Sequence, residues 1–422
     1  MSVVIPSLRA AVAVPGWAKN ELWRNARAVP SLDLRFANNK SLVDAVTGQQ
    51  LVTHTRASSG TFVDSAGVLQ TAATDVPRFD HNPTTGESLG LLVEEARTNL
   101  MLRSEEFDNV SWGLLNVTVS ANTQVAPNGT ISFDTITDVN GVTSANVGCF
   151  QSVTLADSTT YAMSCYVKAG TKSTCRVGIR DKAGTNIFAN SNLATASTTV
   201  GNAISSTIQD AGNGCYRCTA ICASLTGATS PRGLVYMDTG SYTANGTGTI
   251  HVWGAQLEAG AFPTPYIPTT TAAATRAADV ADLISQAIAN NIRTLYLEFR
   301  SPASGTRGVA SLNDNTANER VNVLTSGTDP RLIVFDGGAE QANMNGGTVT
   351  ANQRTRVAVR INANDFAISI NGAAVVTDTS GTLPTVDRLM LGRTQAGEYL
   401  NGTLARVIGW DTTRPDLQTL SQ

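Results

Sequence analysis

TRVAVRINANDFAISINGAAVV, Thr355 to Val376, is the stretch whose reading decides the fold. Val357, Val359 and Ile361 alternate with Arg356, Ala358 and Arg360, and Phe366, Ile368 and Ile370 repeat the alternation. Successive side chains of a strand point to opposite faces, so a period of two marks strands with one buried face. Asn371-Gly372 then falls between two apolar runs. A two-residue type I′ turn needs φ > 0 at both central positions, which Asn and Gly tolerate, so a hairpin is expected. The same grammar runs outward through TLYLEFRSP, GVASLND, VNVLTSG, RLIVFDGG, RLMLGR and TLARVIGWD. Residues 293–422 therefore read as an antiparallel β-sandwich.

A second set of short runs occupies residues 99–269: ISFDTITD, GCFQSVTL, TYAMSCYVKAG, CRVGIRDK, CYRCTAICASL, LVYMDT and TIHVWGAQLEAG. Gly, Asn and Asp punctuate them, as expected of a sandwich of jelly-roll type. Tyr161, Met163, Cys165 and Val167 are expected to face inward, with Ala162, Ser164 and Lys168 outward. Pro263, Pro265 and Pro268 forbid further pairing and make a stiff exit. At 422 residues the chain has room for two or three cores, at roughly 150 residues per domain. The fold class is all-β: two antiparallel sandwiches, an extended N-terminal arm and a short linker helix.

The remaining segments are less regular. Residues 31–98 carry hairpin signals at Asn38-Asn39, Ser58-Ser59-Gly60, Ala66-Gly67 and Asn82-Pro83, but are too short and polar for a generous core, so they are expected to pack on the first sandwich. Residues 270–292 form the linker, where Val280, Leu283, Ile284, Ala287 and Ile288 fall at helical spacing. Thr275-Arg276-Ala277 echoes Thr55-Arg56-Ala57, too short a match to make a repeat. Residues 1–30 have apolar bias without period, and Trp17 and Trp23 give them something to bury, so an attachment segment is expected. Pro6, Arg9 and Pro15 break the apolar run, which reads as neither signal peptide nor membrane span.

Composition narrows the function. Charged residues make up only 15 % and the net charge is −3, which removes the dense basic face a nucleic-acid binder needs. Three histidines exist, His54, His81 and His251, and no nucleophile motif such as G-x-S-x-G accompanies them. Glu94-Glu95 and Glu105-Glu106 are paired acids, but neighbours on a strand diverge, so neither pair spans a sugar cleft by itself. Cys215, Cys218 and Cys222 resemble a metal phrase, yet i and i+3 on a strand face opposite ways. All six cysteines lie between Cys149 and Cys222; Cys165 is in phase with Met163 and Val167, and Cys175 with Val177 and Ile179, which marks core thiols. Asn313-Asp314-Asn315 with Asp336 could offer calcium hard oxygens, although such runs commonly make turns. No catalytic, cofactor or metal residue is assigned. Sugar binding uses aromatic platforms. Trp112, Tyr266 and Tyr399 are the assigned glycan-contacting residues, with Trp253, Tyr296 and Trp410 also considered and Trp253 and Trp410 read as core.

Two long phrases carry a resemblance. RFDHNPTTGESLGLLVEEARTNLMLRSEEF (Arg78–Phe107) and VWGAQLEAGAFPTPYIPTTTAAATRAAD (Val252–Asp279) are similar to phrases flanking a carbohydrate-binding-module-like sandwich in fibre and spike proteins of tailed-bacteriophage virions. The match covers roughly Asp33 to Asp279. From about Arg293 the chain resembles laminin-G or concanavalin-type sandwiches, through FAISINGAAVV and RLMLGRTQAGEYLNGTLARVIGWD. The resemblance implies a non-enzymatic structural protein of the virion surface, made in the host cytoplasm: a head fibre, spike or decoration protein with weak glycan adhesion. A tail fibre or receptor-binding protein and a glycan-degrading tailspike are the alternatives. It further implies attachment to other virion proteins through residues 1–30, a homotrimer, contact with host-surface glycans, cysteines kept reduced by a reducing cytosol, and a structural, salt-linked role for Glu94, Glu95 and Arg97 at a domain junction. Neither nucleic acid nor membrane is expected as a partner.

Overall fold

The computed structural model describes residues 21–422 except 145, 239–241 and 303–304. The N-terminal segment at 1–20 thus lies outside the described residues. No helix among the described residues is long and apolar enough to cross a membrane.

The first sandwich faces two six-stranded sheets. One runs Ser205–Asp210, Cys215–Ser224, Thr159–Ala169, Thr249–Ala259, Ile131–Asp138, Val117–Val125; we call it the junction sheet. The other runs Ser197–Thr199, Asn186–Asn192, Thr174–Arg180, Arg232–Met237, Gly148–Ser152, Gly113–Leu115; we call it the open sheet. Tyr161, Met163, Cys165 and Val167 meet Cys175, Val177 and Ile179 in the core between them, as their phase requires. Ala162 and Ser164 are buried as well, because the outer side of the junction sheet is covered rather than solvated.

The second sandwich is completed by residues far ahead of it in sequence. Ser88–Val93 pairs with Gly402–Trp410, Phe79–His81 adds beyond it, and Leu32–Leu34 pairs with the other end of Gly402–Trp410. Thr53–Thr55 pairs with Val280–Ile284 in the facing sheet. Leu32, Leu34, Phe36, Val52, Leu91 and Val93 share one core with Leu297, Val359, Ile368 and Val407. The expectation that residues 31–98 pack on the first sandwich is therefore corrected. A segment without a core of its own finds one by pairing with strand edges the C-terminal half leaves open, and the hairpin Gly60–Val63/Leu69–Ala72 reaches across, with Leu69 against the first sandwich.

The first sandwich is thus an insertion into the second. Arg97–Asn99 leaves and Ala274–Arg276 returns, and the two pair antiparallel in register. The linker also differs from its reading. Val280–Ile284 is a strand between Thr53–Thr55 and Arg388–Leu391, and helix is confined to Gln286–Ala289. Ala281 and Leu283 point inward while Ile284 is 64 % exposed. Apolar positions at 280, 283, 284 and 287 suit a helical stripe, but two waiting strand edges offer hydrogen bonds along the whole segment, and tertiary pairing overrides local spacing.

The remaining outer face of the second sandwich is capped from both chain ends. Glu21–Ala26 and Leu417–Leu420 lie over Tyr296, Ile408 and Trp410. Trp23 Nε1 donates to Asp33 at 3.0 Å, and Trp410 Nε1 donates to the Ala28 carbonyl at 3.1 Å.

Candidate functional site

Most aromatic rings read as platforms are core. Trp112 is 3 % exposed and stacks on Phe107 at 4.2 Å, its indole N–H donating to the Arg103 carbonyl. Tyr266 is 1 % exposed, packed against Trp253 at 4.7 Å, with its hydroxyl on Ser104 and Glu105. Both assignments as glycan contacts are corrected: apolar burial outbids exposure when a ring sits beside a ready core. Tyr399 is half-buried against the second core. Tyr296, Trp253 and Trp410 are buried.

The chemistry-bearing motifs disperse. Cys215 joins an outer cluster with Tyr166 and Trp253 while Cys218 and Cys222 face the inner core, so the three never converge. All six cysteines are buried free thiols. Burial pushes Cys222 up to about 12 and raises Cys149 further. Asp314 accepts from the Thr316 backbone and Asn313 from that of Asn315, which is turn geometry. His251 contacts Thr135 at 2.8 Å, and burial, then Lys168, lower its pKa. Among the described residues no cluster of His, Cys, Asp and Glu is placed to hold a metal ion.

What does converge is the pair of phrases that flank the insertion. Arg78 Nη2 reaches Asp279 at 2.6 Å and Nη1 reaches Glu94 at 2.8 Å. Arg276 reaches Glu94 at 3.0 Å, Arg56 reaches Asp279 at 3.1 Å, and His54 Nε2 stands 3.4 Å from the same carboxylate. The Glu94 backbone N–H also donates to Asp279 at 3.0 Å. Three guanidiniums and two carboxylates are thereby sealed from water, with side chains no more than 1 % exposed. Burial alone would raise Asp279, but Arg78 above all, then His54, Arg276 and Arg56, hold it well below the usual carboxylate range. Glu95 turns aside to Arg97 at 2.5 Å, and the Arg97 guanidinium lies over Phe262 at 4.7 Å. This is a junction device, since it joins the outgoing and returning strands to segments of the second sandwich.

The open sheet presents the surface best suited to a ligand. Arg176, Gly178 and Arg180 alternate with the core residues Cys175, Val177 and Ile179, so they share the outer side. Cross-strand pairing sets Gly178 between Phe188 and Leu234, Arg176 between Asn190 and Tyr236, and Arg180 beside Arg232. The Arg176 guanidinium lies 4.8 Å from the Phe188 ring and 5.6 Å from Tyr236, and Arg232 lies 4.2 Å over Phe150. Phe150 itself lies across Gly113, where a Cβ would stand 2.3 Å from its ring. Ring faces hold the cations flat; Arg176 is buried and its Nε donates to the Asp238 carbonyl at 3.0 Å, whereas Arg180 and Arg232 are half-buried along the sheet. None of these residues was singled out from the sequence. The signal was present in CRVGIRDK, whose odd positions are core and even positions are Arg-Gly-Arg.

Fold and surface together define an all-β protein of two sandwiches, one inserted in the other, with an arginine-rich open face. The sequence matches no family model and no curated protein. Solved structures it is similar to include the CBM40 of a Ruminococcus gnavus sialidase bound to α2,6-sialyllactose, with 13 % identity and TM-score 0.28 over 31 % of this chain and 84 % of that one. The CBM22 tandem domain of Paenibacillus barcinonensis Xyn10C has 12 % identity and TM-score 0.25 over 78 % and 98 %. Domains LG4-5 of mouse laminin α1 have 12 % identity and TM-score 0.24 over 71 % and 90 %.

Proposed function

We propose that this chain is a non-catalytic adhesion protein of a tailed-phage particle, a head fibre or decoration protein whose first sandwich holds acidic glycans on its open sheet. The observation that supports it best is the row of Arg176, Arg180 and Arg232 on one sheet face, two of them laid over Phe150, Phe188 and Tyr236. Guanidinium forks match carboxylates bidentately, and the half-buried Phe150 ring gives a sugar C–H face something to pack on, while Phe188 and Tyr236 are buried beneath Arg176. Single sites of this kind are shallow, so adhesion comes from many copies, where linkage raises avidity by roughly 10² to 10⁴. Attachment through residues 1–30 and a homotrimeric state belong to the same reading.

Binding to immobilised acidic and neutral polysaccharides tests the proposal. Acidic polymers should be retained preferentially, and Arg232→Ala should lower that affinity about tenfold, the scale of one charge-assisted hydrogen bond. Equal retention of both polymers, or an unchanged Arg232→Ala, refutes the site. New reducing ends appearing during incubation refute the non-catalytic part. Deleting residues 1–20 should leave folded protein that no longer copurifies with particles, and light scattering should give the mass of three chains.

A further inference from the structure

Between the two sandwiches lies a cleft of about 320 Å³ that the junction network touches only through Glu94 and to which the open sheet contributes no lining residue. That volume is at the small end of the ~300–1,000 Å³ range of small-ligand sites. Tyr166 and Arg217, a cross-strand pair on the outer side of the junction sheet, form one wall. Phe62 from the crossing hairpin, Phe262, Pro263 and Pro265 from the proline-rich return, and Leu89 from the second sandwich line the rest. Ring faces and prolines on several sides suit the C–H faces of a saturated sugar ring.

Arg217 gives the cleft its chemistry. It is 8 % exposed, its Nη2 donates to Ser164 Oγ at 3.0 Å, and its guanidinium sits 5.5 Å from the Tyr166 ring. Its Nε has no hydrogen-bond partner, and the carboxylate that feels its charge, Glu258, is itself taken up by Gln256 and the Thr264 backbone and hydroxyl. The cleft's own acids are occupied elsewhere. Glu94 is held by Arg78 and Arg276, Asp210 accepts from the Gly212 backbone, and Asp80 accepts from the Val63 backbone at 2.7 Å. A buried cation with an unbonded N–H and no carboxylate bonded directly to it is stabilised by an anion that reaches it.

We infer that this cleft is a second binding site, one that takes a single carboxylate-bearing sugar ring, with the carboxylate on Arg217 and the ring against Phe62, Phe262 and Tyr166. The inference is independent of the open sheet. Isothermal titration of the full chain with glucuronic acid and, separately, glucose reads it directly. Glucuronic acid should bind and glucose should bind at least about tenfold more weakly, the worth of a charge-assisted contact. Arg217→Met should abolish the preference. Because that change touches a buried residue, Gln209→Trp serves as a second variant: Gln209 is exposed at the cleft mouth, so a bulky ring there should block binding without disturbing the fold. Arg232→Ala, on the open sheet, should leave the titration unchanged, which separates the two sites. Equal affinity for the two sugars, no heat from either, or full binding by both Arg217→Met and Gln209→Trp overturns the assignment.

Discussion

Replacing Asp279 with asparagine should damage this protein more than almost any other isosteric change. The carboxylate faces Arg78 at 2.6 Å, Arg56 at 3.1 Å and Arg276 at 3.8 Å, and none of these side chains is more than 1 % exposed. Asparagine keeps the shape but removes one of two negative charges from a buried set holding three positive ones. Breaking a buried pair by removing one partner costs about 3–5 kcal/mol, because the charge left behind is neither solvated nor matched. At on the order of 2–4 °C per kcal/mol for domains of 150–250 residues, the melting temperature should fall by about 6–20 °C. The pH dependence carries the sign. Asp279 is held below its unfolded value, so its stabilisation is complete above about pH 4, where the unfolded chain is also ionised, and is lost as pH falls through the folded value. The gap between wild type and Asp279→Asn should therefore be widest near neutrality and shrink below about pH 4. Urea unfolding followed by circular dichroism from pH 3 to 7 measures both. A neutral-pH difference under about 1 kcal/mol, or a gap that does not narrow in acid, would refute the reasoning.

Three further outcomes follow from other parts of the molecule. Folded protein should take up no alkylating label on its six cysteines within minutes while unfolded protein takes up six, since all are buried and burial raises Cys149, Cys165, Cys215 and Cys222; fast native labelling or a disulfide-linked peptide in the mass spectrum contradicts this. Gly90→Ala should destabilise by at least about 1–3 kcal/mol in urea, because φ is +104° and a Cβ would stand 2.0 Å from the Leu404 carbonyl oxygen; a neutral result means that strand pairing there is wrong. Asp80 is pushed up to about 6 by burial, so its ionisation should reduce stability as pH rises from about 4 to 6, and Asp80→Asn should flatten that slope.

How much of this was legible depends on what a strand pattern encodes. Alternation fixes which face a residue occupies, and so Val357, Val359 and Ile361 are core, Asn371 and Gly372 take φ of 48° and 75°, and Cys215 separates from Cys218 and Cys222. Alternation does not say which strand lies alongside. Ser88–Val93 carries no mark that its partner is Gly402–Trp410, more than 300 residues away, so the insertion was invisible. The stretch from Val280 was ambiguous for another reason: positions 280, 283, 284 and 287 satisfy a helical stripe while 281 and 283 satisfy a strand, and only the neighbouring edges choose. Ring-bearing residues were singled out for sugar by type, yet Trp112 and Tyr266 went to cores, whereas the arginines of CRVGIRDK were outward by phase. The Thr-Arg-Ala echo was real chemistry in too short a form, since Arg56 and Arg276 approach the same Asp279 carboxylate from opposite ends of the chain segment they bracket.

That convergence suggests why the network is charged at all. Buried ion clusters are commonly no more stabilising than apolar residues of equal volume, so stability alone does not account for five ionised groups in a sealed junction. The groups, however, come from three parts of the chain: Arg56 and Arg78 flank the second sandwich's early strands Thr53–Thr55 and Phe79–His81, Glu94 lies on the outgoing side, and Arg276 and Asp279 on the returning side. All are matched only when both sides of the insertion are in one register, whereas apolar replacements would tolerate sliding. Changing Arg56, Arg78 and Arg276 to methionine together with Glu94 and Asp279 to leucine should therefore keep the melting temperature within about 10 °C of wild type, but loosen how the sandwiches sit. Spin labels on cysteines introduced at the exposed positions Thr226 and Thr316, one on each sandwich, report this by pulsed electron paramagnetic resonance, the native thiols being buried. The wild-type background should give one narrow distance distribution and the five-fold variant a broad one. An equally narrow distribution in the variant would show that packing alone sets the geometry and that the charges are not there to select it.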